Sequence, residues 1–228
     1  MPDRPPLATK PVSDFSPDER AALYRAIALR RDVRAEFVSD PVGDDVLERV
    51  LGAAHRAPSV GLSQPWRFVV VREAARRARM LDAFERANAD AAASYGDAAR
   101  AHYESLELAG LRVAPVNICV TCDDDPARGR GLGRRTMPET ARYSTVCAVQ
   151  NLWLAARVEG LGVGWVSILD PAAVRAELAI PERVAIVAYL CVGYVSAFAP
   201  VADLERDGWE TRTPLASVVD RETYAGPR

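Results

Sequence analysis

The stretch that most restricts how this chain can fold runs from Tyr143 to Glu159. Val146, Cys147, Val149, Leu152, Trp153, Leu154, Ala155, Ala156 and Val158 leave it only a thin polar stripe. The spacing is helical, and a helix apolar almost all round must be covered on more than one side. A central place in the domain or a second copy of the chain can supply that cover, and the helix is read here as the core of a homodimer.

The segments around it define the class. Trp66–Val71, Val116–Cys122 and Val184–Val195 are rich in β-branched and aromatic residues and read as strands, the last so continuously apolar that it belongs in the middle of a sheet. Helices are expected after Ser16-Pro17-Asp18-Glu19, which has the signature of a reciprocal cap, over about Asp44 to Arg56, and from Pro171. Glu73 to Leu111 reads as two largely polar helices broken near Gly96, an excursion suited to a lid. The proline-rich residues 1–15 have no apolar run, so they read as a flexible lead and neither as a signal peptide nor a membrane span. Residues 16–228 then form one α+β domain, with 198–228 an arm long enough to wrap a partner subunit.

Composition narrows the function. With 29 Lys+Arg against 31 Asp+Glu the formal charge is −2, which offers no general polyanion surface and argues against nucleic acid. The four cysteines sit in apolar runs, which suits a reducing cytoplasm. Cys119 and Cys122 are spaced as a redox pair, but on a strand residues three apart point to opposite faces, so they read as core thiols. Two histidines, His55 and His102, assemble no metal motif, and no metal is expected.

Against this background Arg30-Arg31-Asp32-Val33-Arg34 stands out, with three guanidinium groups and a carboxylate at the end of the first helix. It is either a solvated helix end favoured by the macrodipole or an anion site. Among three arginines Asp32 should stay ionised, and it would repel a phosphate, so in an anion site it faces an uncharged part of the ligand. Arg128 to Arg135 is glycine- and arginine-rich but lacks the strand before and helix after that a phosphate loop needs, so it reads as a mobile surface loop. Gly160-Leu161-Gly162-Val163-Gly164-Trp165 passes from helix to strand, the reverse of the dinucleotide-binding order, and reads as a helix cap on a buried strand. Ser167 lies in no nucleophile elbow and suits hydrogen-bond donation to a ligand.

Taken together, RRDVR at 30–34, APSVGLSQPW at 57–66, the apolar helix and EGLGVGWVSI at 159–168 resemble the nitroreductase-like flavoprotein superfamily over nearly the whole chain. The resemblance implies a mixed sheet flanked by helices, and a dimer with an extended carboxyl-terminal arm and FMN at its interface. Arg30, Arg31, Asp32, Val33 and Arg34 would then line the phosphate and ribityl chain, Pro58 and Ser59 would meet the flavin, and Arg212 would be a further phosphate ligand. Asp32 stands where these enzymes usually have Ser, and Leu62 where they usually have Asn. Both departures, with the runs at 25–37 and 143–168, resemble a branch that consumes its flavin. There, reduced FMN and O2 are substrates, and the xylene ring with one ribityl carbon becomes 5,6-dimethylbenzimidazole, the lower ligand of cobalamin. The remaining sugar leaves as erythrose 4-phosphate. On this resemblance Asp32 is the general base, Ser167 orients a reacting atom, and a separate flavin reductase supplies the electrons. The alternatives are an NAD(P)H-dependent FMN oxidoreductase acting on nitro or quinone compounds, and a non-enzymatic flavin-binding module.

Overall fold

The computed structural model describes residues 15–106, 110–125 and 127–226. Apart from Phe15, the lead expected over residues 1–15 lies outside them. Helix α1 (Pro17–Leu29) starts as its sequence requires: the Ser16 hydroxyl accepts from the Glu19 N–H at 3.2 Å and the Glu19 carboxylate accepts from the Ser16 N–H at 2.7 Å. Only Ala26 of α1 is buried, so Leu23, Tyr24 and Ile27 form an apolar face that stays exposed among the described residues.

Strands β1 (Trp66–Val71), β2 (Val116–Cys122), β3 (Leu161–Trp165) and β4 (Ala185–Tyr194) form a sheet in the order β1-β2-β4-β3, with β4 in its interior. Every pairing between these strands is antiparallel. The sheet is mixed only to the extent of one isolated parallel bridge, Asp32 to Val163, because the chain after α1 touches the outer edge of β3 too briefly to make a full strand.

Alternation along the strands builds two cores. Val116, Ile118 and Val120 of β2 pack with Leu190 and Val192 of β4 beneath α2 (Asp44–His55) and α5 (Thr140–Val158). On the opposite face Cys119, Tyr189 and Cys191 meet Met80 and Phe84 of α3 (Ala74–Ala93) and Val174 of α6 (Pro171–Leu178). Cys119 and Cys122 are both buried and burial pushes both thiols up, Cys119 to about 12, which suits core thiols and not a redox pair. The polar excursion divides at Gly96 into α3 and α4 (Asp97–Glu104), and the inner side of α3 is part of the second core.

Helix α5 buries Ala148, Val149, Leu152 and Ala156 against the sheet, while Tyr143, Val146, Cys147 and Val158 remain exposed on its outer side. Its end explains the glycine run. Gly160, at φ +80°, follows the last turn of α5 and turns the chain into β3, a left-handed conformation that costs an L side chain about 1–2 kcal/mol. Gly162 and Gly164 serve a different purpose, because the 30–34 segment lies flush on them. A Cβ on Gly162 would come within 3.0 Å of Val33 Cγ2, and one on Gly164 would collide with the Val33 carbonyl oxygen.

Gly164→Ala should therefore destabilise the protein by about 3 kcal/mol, as overpacking against rigid backbone does, while Gly160→Ala, with open space around it, should cost about 1 kcal/mol. Chemical denaturation of both variants checks the order.

Candidate functional site

The chain leaving α1 is fixed from three sides. Val33 donates its N–H to the Val163 carbonyl at 3.0 Å, the Trp153 Nε1–H of α5 donates to the Arg31 carbonyl at 3.1 Å, and the Trp165 N–H donates to Asp32 Oδ1 at 2.9 Å. The other carboxylate oxygen of Asp32 faces Arg34 Nη2 at 3.4 Å. Asp32 and Arg34 line a cavity of about 100 Å³ with Phe84, Gly164, Ser167 and Cys191. Ser167 lies just past the end of β3, is exposed, and has no hydrogen-bond partner among the described residues, so its hydroxyl is available to a ligand.

The electrostatics of Asp32 differ from the expectation that arginines hold it firmly ionised. Burial raises its pKa above the ordinary aspartate value, and this outweighs the Trp165 N–H, Arg34 and Arg30, which act in the other direction. Cys191, at the base of the same cavity, is raised by burial and then by the Asp32 charge, so it stays a thiol.

The three arginines of the motif do three different things. Arg30 lies with its guanidinium 4.8 Å from the Trp153 ring centroid and donates no side-chain hydrogen bond among the described residues. Its pKa is lowered chiefly by burial, opposed by Asp32, and lowered further by the charges of Arg31 and Arg212, so two cations from distant parts of the sequence converge here without a shared anion. Arg34 borders the cavity. Arg31, expected in the phosphate grip, is spent on backbone: Nε donates to Ala199 O at 3.0 Å, Nη1 to Ala28 O and Arg30 O, both at 2.8 Å, and Nη2 to Pro200 O at 2.5 Å. With its donors directed at four carbonyl oxygens, it joins the end of α1 to the start of the carboxyl-terminal arm.

Pro58 and Ser59 do not line the Asp32 cavity. The Ser59 hydroxyl accepts from the Gln64 N–H at 3.1 Å and so closes a turn in which Gly61, Leu62 and Gln64 all have positive φ. That turn is held by the glycine- and arginine-rich loop, which packs on it glycine to glycine: a Cβ on Gly61 would lie 2.9 Å from the Gly129 carbonyl oxygen. Arg134, buried, anchors the loop to Asp124 and to the Asp125 and Arg128 carbonyls, while Arg128, Arg130, Leu132 and Arg135 stay exposed, so this is a surface loop tied down at one point. Leu62 projects from the turn, 76% exposed.

Sequence reasoning did not reach Phe84, Cys191 or the Trp165 N–H. They enter the cavity through strand register and helix packing, and no local motif marks them. Among the described residues no His, Cys, Asp and Glu group could hold a metal ion, and no helix is long and apolar enough to cross a membrane.

The sheet with helices on both faces, and a cavity where the arginine segment meets the end of β3, define the class. The chain belongs to the nitroreductase family, whose family profile matches residues 27–194. Within it the chain falls among the 5,6-dimethylbenzimidazole synthases. It is 50% identical over 200 residues to the 5,6-dimethylbenzimidazole synthase of Rhodospirillum rubrum, covering 88% of this chain and 94% of that one. It is 41% identical over 201 residues to the enzyme of the same name from Rhodobacter capsulatus, covering 88% and 97%. Among solved structures, a nitroreductase from Desulfovibrio desulfuricans in complex with FMN matches with a TM-score of 0.61 at 25% identity, over 92% of this chain and 99% of that one.

The position of Asp32 gives a signed prediction. Because its folded pKa is raised, the folded state binds more protons than the unfolded one between the two values, so the Asp32 contribution to stability is lost as pH rises through them. Asp32→Asn keeps an oxygen for the Trp165 N–H and removes the charge. Denaturation should show it gaining stability relative to wild type on going from about pH 4 to pH 7.

Proposed function

We propose that this chain is a 5,6-dimethylbenzimidazole synthase that takes reduced FMN and O2 as substrates, and that two copies of the chain complete its sites. The observation that carries the reading is a carboxylate, Asp32, in the wall of the same cavity as the free hydroxyl of Ser167, in a chain half identical over most of its length to an enzyme of that name. The residues fit a flavin mononucleotide. Arg30 and Arg212 offer charge to its phosphate, Arg34 and the backbone at Val33 border the ribityl path, and Ser167 is placed to donate to the ring.

Reduced flavin and O2 supply the redox chemistry: the flavin fragments, its xylene ring with the two attached nitrogens and one ribityl carbon becomes the benzimidazole, the other four ribityl carbons leave as erythrose 4-phosphate, and the pyrimidine ring is released as a separate oxidised fragment. The protein supplies position and proton transfer. Asp32 is held by the Trp165 N–H through one oxygen, and the other, which meets only a long contact from Arg34 Nη2 at 3.4 Å, is the one that takes a proton from the bound substrate and returns it. A carboxyl whose pKa lies above the ordinary value is closer to the operating pH, and this favours transfer in both directions. Ser167 orients a reacting atom by hydrogen bonding.

Pro58 and Ser59 reach the flavin from the second copy in this reading. It is supported by their absence from the Asp32 cavity lining, and by exposed apolar residues on their turn and on the outer side of α5, namely Leu62, Tyr143 and Val146. The arm, with Leu215 and Tyr224 exposed, wraps that partner. Residues 73–111 act as the lid through α4 and its flanks, since α3 is fixed in the core. Electrons arrive as free reduced FMN from a separate reductase, in the cytoplasm, where four free cysteines are at home.

Incubation with excess reduced FMN in air should yield 5,6-dimethylbenzimidazole by mass spectrometry, and Asp32→Asn should lower its rate of formation by about 100-fold or more. Recovery of intact oxidised FMN with no benzimidazole would leave the NAD(P)H-dependent oxidoreductase as the better reading, and unchanged turnover in Asp32→Asn would remove Asp32 from the chemistry. Arg30→Ala should weaken binding of FMN at least about 10-fold more than binding of riboflavin, since only FMN carries the phosphate.

A further inference from the structure

The carboxyl-terminal arm is tied to the molecule at two places that the proposed chemistry does not use. Arg31 holds the Ala199 and Pro200 carbonyls. Beyond α7 (Asp203–Arg206) the chain folds back on itself, with the Trp209 and Glu210 N–H groups both donating to the Leu204 carbonyl, at 2.9 and 3.3 Å. This compact turn carries Trp209 into a set of aromatic rings on the excursion between β1 and β2. Its ring lies 6.0 Å from Tyr95, 5.3 Å from His102 and 6.4 Å from Tyr103, centroid to centroid, and Tyr95 stacks on Tyr103 at 5.0 Å. His102 Nε2–H donates to the Asp207 carbonyl at 2.9 Å, and the Tyr103 hydroxyl donates to Asn88 of α3 at 2.7 Å. The arm, α4 and α3 are thereby joined around one indole.

Three residues past Trp209 comes Arg212, exposed and without a hydrogen-bond partner among the described residues, yet close enough for Arg30 to feel its charge. Two guanidinium groups do not approach each other unaided, since their repulsion opposes it. Arg212 follows directly on the turn that Trp209 anchors.

We propose that Trp209 is a positioning residue: seated in the Tyr95–His102–Tyr103 cage, it ties the arm to α4 and sets Arg212 beside Arg30, where both can capture the substrate phosphate. The inference rests on the reading of Arg30 and Arg212 as phosphate ligands. Trp209 itself touches no reacting atom. Its effect reaches the substrate only through Arg212, and this separates it from a residue that merely stabilises the fold.

A double-mutant cycle tests this. Dissociation constants for FMN and for riboflavin are measured on the full-length protein for wild type, Trp209→Ala, Arg212→Ala, the double variant and the conservative Trp209→Phe. Hydrogen exchange of the α4 amides is followed without ligand. Trp209→Ala and Arg212→Ala should each weaken FMN about 10-fold and riboflavin less than about 2-fold, and the double variant should be no worse than either, because both remove the same contact. Trp209→Phe should restore FMN affinity to within about 2-fold, and α4 should exchange faster in Trp209→Ala than in Arg212→Ala. Tyr95→Ala, on the exposed wall of the cage, should reproduce the phosphate-selective loss and serves if Trp209→Ala does not fold. Equal losses for FMN and riboflavin in the cage variants, or single losses that multiply to about 100-fold in the double variant, would overturn the coupling. Wild-type protein that binds neither flavin would overturn the proposed function as well, whereas wild type that prefers FMN beside a Trp209→Ala that keeps that preference removes the latch alone.

Discussion

Asp32 is useful only because the backbone on either side of it is held flat against the end of the sheet. The Val33 N–H bonded to the Val163 carbonyl and the Trp165 N–H bonded to Asp32 Oδ1 form a short two-point attachment, and Trp153 adds a third point from the opposite core. The attachment requires close approach, so β3 carries Gly162 and Gly164 where the 30–34 segment lies. It also sets the direction of the arginines, with Arg30 over Trp153, Arg34 toward the cavity and Arg31 turned to the arm. One stretch of five residues therefore supplies a cation, a carboxyl in the cavity wall and a structural clamp.

Burial and charge oppose each other at Asp32, and burial wins. In water three arginines would keep an aspartate ionised. Here Arg31 is occupied with carbonyl oxygens, and the remaining favourable contacts, the Trp165 N–H and two guanidinium groups, do not offset the loss of solvent. A carboxyl in that balance can release and recover a proton, whereas one locked in a tight ion pair is a poor base.

Much of this was legible in the sequence where one local rule decides the outcome. The cap at Ser16, the strands at Trp66 and Val116, the break at Gly96 and the opposed cysteines of β2 each follow from spacing or from a single residue type. Asp32, Arg34 and Ser167 were legible as candidate site residues, and all three border the cavity. What could not be read is what depends on distant parts of the chain meeting. The apolar face of α1 is exposed, which the spacing of its residues alone does not reveal. Arg31 was indistinguishable from Arg30 until Ala199 and Pro200 came to it, and the order in the 128–135 loop depends on Arg134 finding Asp124. The glycines of β3 resembled a helix cap, which is true of Gly160 alone. Gly162 and Gly164 answer to a segment 130 residues earlier in the sequence.

The central claim is that a backbone-held Asp32 carboxyl moves the proton in the chemistry at this cavity. The most direct measurement is the pH dependence of the rate at which reduced FMN is converted to the benzimidazole, compared between wild type and Asp32→Asn. The account predicts an acid limb in the wild type, with a midpoint above the ordinary aspartate value, that is missing from the residual activity of Asp32→Asn. An acid limb with the same midpoint in both proteins would contradict it.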